Sequence, residues 1–240
     1  MATQNILTAN IRRTAYEVKR YRTWMRVVPV GIVIAILILV IGYVVSALYM
    51  RFGAFTVRIN KYDNLDYALS LSEFESLEKP TSRLTIDIDE EITNIDGKSL
   101  PNFLDNIDGR HNGENYVAYT FYCFNAGKLA LNYNYELYIA NETLEMEKAV
   151  RIRMFINGES TDYAYPRTDG VEGPEPGTVA FKSGKTVTSG TIYDLKPGEA
   201  TKYTIVIWLE GNDPDCVDKI IGGKFKVDMT MEVVSVADND

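Results

Sequence analysis

From Val27 to Met50 the chain runs for twenty-four residues without a charged side chain, closed by Arg26 before it and Arg51 after it. At about 1.5 Å per residue, a helix of that length crosses a hydrocarbon core of about 30 Å with some tilt. The middle of the run, Ile32 to Ile41, is apolar on every side, so lipid suits it better than a half-solvated surface. The competing reading, a helix buried in a globular core, needs a chain able to wrap it on all sides, and the rest of the sequence offers none. Three parts follow: a basic segment 1–26, a transmembrane or signal segment 27–50, and a domain 51–240.

Charge orients this layout. Residues 1–26 carry Arg12, Arg13, Lys19, Arg20, Arg22 and Arg26 against Glu17, whereas the chain from residue 51 onward holds 19 basic and 32 acidic side chains. Basic residues flanking a span stay in the cytoplasm, so the acidic domain is expected outside the cell, held by a single pass through the bilayer. An acidic domain repels nucleic acid, which is therefore not an expected partner. The apolar run and its long basic lead exceed those of an ordinary signal peptide, which favours a permanent anchor. Val45-Ser46-Ala47 nonetheless has the small-residue pattern that signal peptidase accepts, and cleavage after Ala47 would release the domain to the cell surface.

Beyond the membrane the apolar period changes from helix to strand. Phe55, Val57 and Ile59 alternate with Thr56 and Arg58; later Tyr203, Ile205, Ile207 and Leu209 share one face of a strand, as do Val227, Met229, Met231 and Val233. Eight or nine such segments are expected, joined by polar turns. Lys196-Pro197-Gly198-Glu199 has the composition of a type II turn. Residues 89–115 and 159–178 read as loops, with a single helical turn expected at Phe103-Leu104. One-sided alternation belongs to antiparallel sheets packed on one face. The expected fold is therefore all-β: an antiparallel two-sheet sandwich, jelly-roll-like or an immunoglobulin variant, behind one N-terminal helix.

Few residues carry chemistry. The single histidine, His111, cannot build a multi-histidine metal site and reads as a surface loop residue. The turn Glu210 to Asp218 places Asp213, Asp215 and Asp218 among Gly and Pro, a set of oxygens that calcium could use. It lacks a complete EF-hand loop, and an ordinary solvated turn is the alternative. Cys123 and Cys216 are 93 positions apart. Outside the cell they could form one disulfide, worth about 4 kcal/mol by chain entropy, or remain free thiols. No nucleophile or paired-carboxylate motif stands out, so catalysis is not expected.

The junction Tyr49-Met50-Arg51-Phe52-Gly53-Ala54-Phe55, the Tyr119-Thr120-Phe121-Tyr122 strand leading to Asn125-Ala126-Gly127, and Tyr203 to Cys216 carry a likeness. With the apolar segment and acidic all-β domain, they resemble the TasA and camelysin family of exported surface proteins of Gram-positive bacteria, including uncharacterised clostridial relatives. The resemblance spans residues 27–236 in layout. It implies a jelly-roll domain, handling by a dedicated signal peptidase and, in some members, matrix fibres assembled by donating a strand to the next subunit. Here the apolar segment is not Gly-rich and the junction carries Arg51, a departure that bears on cleavage. Camelysin was described as a protease, but this chain has no His-Glu-x-x-His motif and the activity is not carried over.

The expected function is structural: a cell-envelope surface protein that associates with itself or with other envelope proteins by strand addition through Phe55, Val57 and Ile59. A calcium- or glycan-binding module is the second reading, and a hydrolase the third.

Overall fold

A computed structural model describes residues 2–49, 54–60, 66–87 and 92–236. The chain divides into two units, Met1–Met50 and Arg51–Asp240.

The first unit is helix α1, Ala2–Tyr49, which takes the basic lead and the apolar run into one continuous element. Pro29 lies inside it, removing one backbone donor. Lys19–Val44 is long and apolar enough to cross a membrane, and none of its most apolar window is buried within the protein.

Among its described residues the second unit holds thirteen strands in chain order: β1 Ala54–Ile59, β2 Leu69–Ser72, β3 Arg83–Asp87, β4 Asn94–Ile95, β5 Gly109–Arg110, β6 Tyr116–Asn125, β7 Leu131–Glu142, β8 Val150–Ile156, β9 Glu159–Ala164, β10 Val179–Ala180, β11 Thr186–Leu195, β12 Ala200–Glu210 and β13 Phe225–Val236. The smaller sheet runs β11-β7-β13-β1-β3. The larger runs β10-β9-β8-β12-β6-β2, with β4 on β12 and β5 on β6. One core lies between them: Val57, Tyr133, Leu137 and Met229 of the smaller sheet meet Phe121, Tyr203 and Ile205 of the larger. Strand β13 keeps the expected alternation, with Val227, Met229, Met231 and Val233 buried.

The sheets are mixed rather than antiparallel. β1 lies parallel to β13, β9 to β10 and β12 to β4. Alternation reports only that one face is covered; it is the same whichever way the neighbouring strand runs, so it could not reveal these pairings.

Two expected loops contain strands. The first six residues of 159–178 form β9, antiparallel to β8. Asn157 and Gly158 join them with φ of 50° and 90°, the left-handed pair that a two-residue hairpin needs. β9 escaped detection because Glu-Ser-Thr-Asp-Tyr-Ala has no apolar face and stays mostly exposed or half-buried. The 92–115 segment contributes β4, β5 and the expected turn at Leu104–Asn106. Its Leu100 and Leu104 bury against Ala118, Val206 and Trp208 on the outer face of the larger sheet. That cover explains why nine consecutive residues of β6 are buried on both faces. The type II turn is present, with Gly198 at φ 81° and the Glu199 N–H donating to the Lys196 carbonyl over 3.0 Å.

Candidate functional site

The strand expected to join subunits is an interior strand of its own sheet. β1 pairs on one side with β13, from Phe55 opposite Val227 to Ile59 opposite Met231. On the other it pairs with β3, from Ala54 opposite Asp87 to Arg58 opposite Arg83. Phe55 and Val57 are buried, and Ile59 is half-buried against the same core. The Phe55 ring meets Tyr119 edge-on at 6.0 Å and lies 6.4 Å from Phe121. Burying side chains of this size contributes about 1.5–3 kcal/mol each. β1 therefore offers no free edge; joining a neighbour through it requires it to leave this slot. Ala47 lies within α1, and its surroundings, with junction residues 50–53, lie outside the described residues.

The acidic turn is built around an ion pair rather than a metal. Asp213 is buried, and its Oδ2 accepts from Nη2 of Arg151, itself only 4 % exposed. Arg151 also faces Glu175 at 3.9 Å and donates to the Val150 carbonyl at 3.3 Å. The second oxygen of Asp213 accepts the Asp215 N–H at 2.7 Å. Asp215 accepts the Thr168 hydroxyl, and Asp218 is exposed at the start of the Asp218–Ile220 turn. Among the described residues no three His, Cys, Asp or Glu side chains converge to hold a metal ion. Asp213 of the expected set Asp213, Asp215 and Asp218 faces a buried guanidinium in this arrangement. Asp105 and Asp108 lie elsewhere, bonded to Thr204 and Tyr122 respectively.

The cysteines are free thiols, Cys123 buried and Cys216 half-buried. Cys123 lies opposite Thr201 near the start of β12. Cys216 sulfur is 3.6 Å from the Asn94 amide, and Asn94 is opposite Leu209 near the end of β12. Eight residues of strand separate those levels, about 27 Å, whereas a bridge needs Cα atoms within about 7 Å. In this arrangement the two thiols are unbridged, the second of the two expected states.

His111 is a half-buried loop residue: Nδ1 lies 2.9 Å from the Gly109 carbonyl, and Nε2 is buried without a hydrogen-bond partner among the described residues.

Sequence reasoning missed two polar networks. Tyr133 and Tyr203 hydroxyls share a 2.8 Å hydrogen bond across the core. Burial pushes both phenols well above their ordinary pKa, and burial likewise raises the Cys123 thiol beside them. On the outer face of the larger sheet, Thr120 and Thr204 hydroxyls bond at 2.7 Å, and Thr204 donates to Asp105 at 2.7 Å.

Compared with models of known protein families and with curated proteins, the sequence matches none.

Proposed function

We propose that this chain is a structural surface protein of the cell envelope, anchored by α1 with its acidic domain outside, whose copies join by exchanging β1. The single observation that supports it is the position of β1. It follows helix α1 after four residues, yet fills a slot between β3 and β13, the latter the last strand in chain order. A second copy presents an identical slot, so exchange reproduces every pairing at no cost in register. The basic segment before the span supports the cytoplasmic placement of the N-terminus. A jelly-roll arrangement and kinship with the TasA and camelysin family belong to the same proposal, supported by two sheets around one core and by the motifs quoted above.

The test uses the full chain in native membranes, with Arg58→Cys and Thr230→Cys at facing positions of β1 and β13, in a Cys216→Ser background. A short bismaleimide is expected to give a ladder of covalent oligomers. A cross-linked monomer alone would show that β1 stays in its own sheet, and would end the exchange proposal.

A further inference from the structure

A cleft of about 410 Å³ opens on the outer face of the larger sheet, lined by Glu75, Asp105, Tyr122, Asn157, Gly158 and Lys202. That volume lies within the range of small-ligand sites. The strand-exchange proposal does not use it.

The lining is held from behind. Asp105 accepts from Thr204 through Oδ1 and lies 3.6 Å from the Lys202 ammonium through Oδ2, while Lys202 also donates to the Asp105 carbonyl. Tyr122 donates to Asp108 Oδ1 over 2.7 Å, and the other oxygen of Asp108 accepts the Glu75 N–H at 3.0 Å. Asn157 Oδ1 accepts the Lys202 N–H at 2.9 Å. Each backing contact spends one capacity of its group and leaves another. Tyr122 has used its proton, so its oxygen remains an acceptor; Asn157 has used its oxygen, so its amide hydrogens remain donors; the Glu75 carboxylate is a further acceptor, near enough to Tyr122 to raise its phenol pKa. Lys202 retains a donor as well. Donors and acceptors are therefore both present in one cleft whose carboxylates outnumber its single ammonium.

This set discriminates between ligand classes. An apolar molecule would leave these groups desolvated and unpaired. Phosphates and acidic sugars would meet Glu75 and Asp105 with like charge. A ring bearing several hydroxyls, each both donor and acceptor, can use both kinds of group. Beside the cleft in sequence stands the exposed ring of Phe103, two residues from Asp105, whereas the Phe74 ring next to Glu75 already has the Lys79 ammonium 5.3 Å from its centroid. An exposed ring such as Phe103 suits the C–H face of a pyranose. We infer that the cleft is a binding site for a saccharide without acidic groups, which would attach the domain to a neutral envelope glycan.

The test is calorimetry on the full chain in lipid nanodiscs, free of glycoside detergent. The neutral probes are triacetylchitotriose, cellotetraose, maltotetraose and mannotetraose; tetragalacturonate is the acidic one. At least one neutral probe is expected to bind with a sub-millimolar Kd, and tetragalacturonate at least tenfold more weakly. Glu75→Gln keeps the backbone bond to Asp108 and is expected to weaken binding about tenfold, and Phe103→Ala by a similar factor, with unchanged melting temperature. Absence of heat with all four neutral probes at millimolar concentration, equal binding of the acidic probe, or full affinity in Glu75→Gln would each overturn the proposal. The cross-linking result above is read separately, so either proposal can fail alone.

Discussion

Arg151 and Asp213 show how a single pairing redirects the meaning of a motif. A carboxylate in a Gly and Pro turn invites a cation, and the cation here is a guanidinium from β8, sixty-two residues away. Truncating one partner of a buried pair strands the other charge, which typically costs 3–5 kcal/mol. Asp213→Ala is expected to lose about 3 kcal/mol in urea unfolding, the low end because Glu175 lies near enough to share the charge. Asp215→Asn should lose less than about 1 kcal/mol, since one hydrogen bond is all it forfeits. Millimolar calcium should leave both midpoints unchanged; a shift in the parent protein alone would restore the metal reading. The tyrosines make a second case. Tyr133, Tyr203, Tyr119 and Tyr122 all have raised pKa values, burial being the largest cause in each, with Glu73 and Asp108 adding to the last two. A raised folded pKa means that the fold favours the neutral phenol. Its contribution is complete below the unfolded value of 10 and is lost as pH rises through the folded one. In an alkaline titration followed by phenolate absorbance, these four should ionise only together with loss of the near-ultraviolet dichroism of the core. Smooth ionisation ahead of unfolding would contradict their burial.

At the scale of elements, the apolar alternation of β12 and β13 was legible because each inner face is continuous and separated from its neighbours by clear turns. β9 was not, because its stability comes from pairing with β8 across the Asn157-Gly158 hairpin rather than from apolar contacts of its own. The outer face of β12 is covered as well: Thr204, Val206 and Trp208 are buried under the 92–115 segment, which a period of two on the inner face does not reveal. Turn chemistry transfers better. At Gly127 an added Cβ would lie 2.5 Å from the Asp66 carbonyl oxygen and 2.8 Å from the Ala68 nitrogen, both backbone atoms that cannot swing aside. Gly127→Ala should therefore cost about 1–3 kcal/mol through overpacking, measurable as a lower thermal midpoint. Gly184, with nothing within 4 Å of such a Cβ, is the control, and Gly184→Ala should be close to neutral.

At the scale of the molecule, the two thiols lie at opposite ends of β12, and their reactivities should differ accordingly. The native protein should take up one equivalent of an aromatic disulfide reagent, at half-buried Cys216, and a second only in denaturant, when Cys123 leaves the core. No uptake in denaturant without prior reduction would instead reveal a bridge. Taken alone, the sequence determined the membrane-spanning candidate, the β character of residues beyond 51 and most inner-face residues, because each is written in local composition or in a period of two. Strand direction, the slot that receives β1, the Arg151–Asp213 pair and the cleft beneath the 92–115 segment were decided only by tertiary structure. Each depends on which distant segments come to lie side by side, and a local pattern of polar and apolar residues is the same for every such choice until long-range packing selects one.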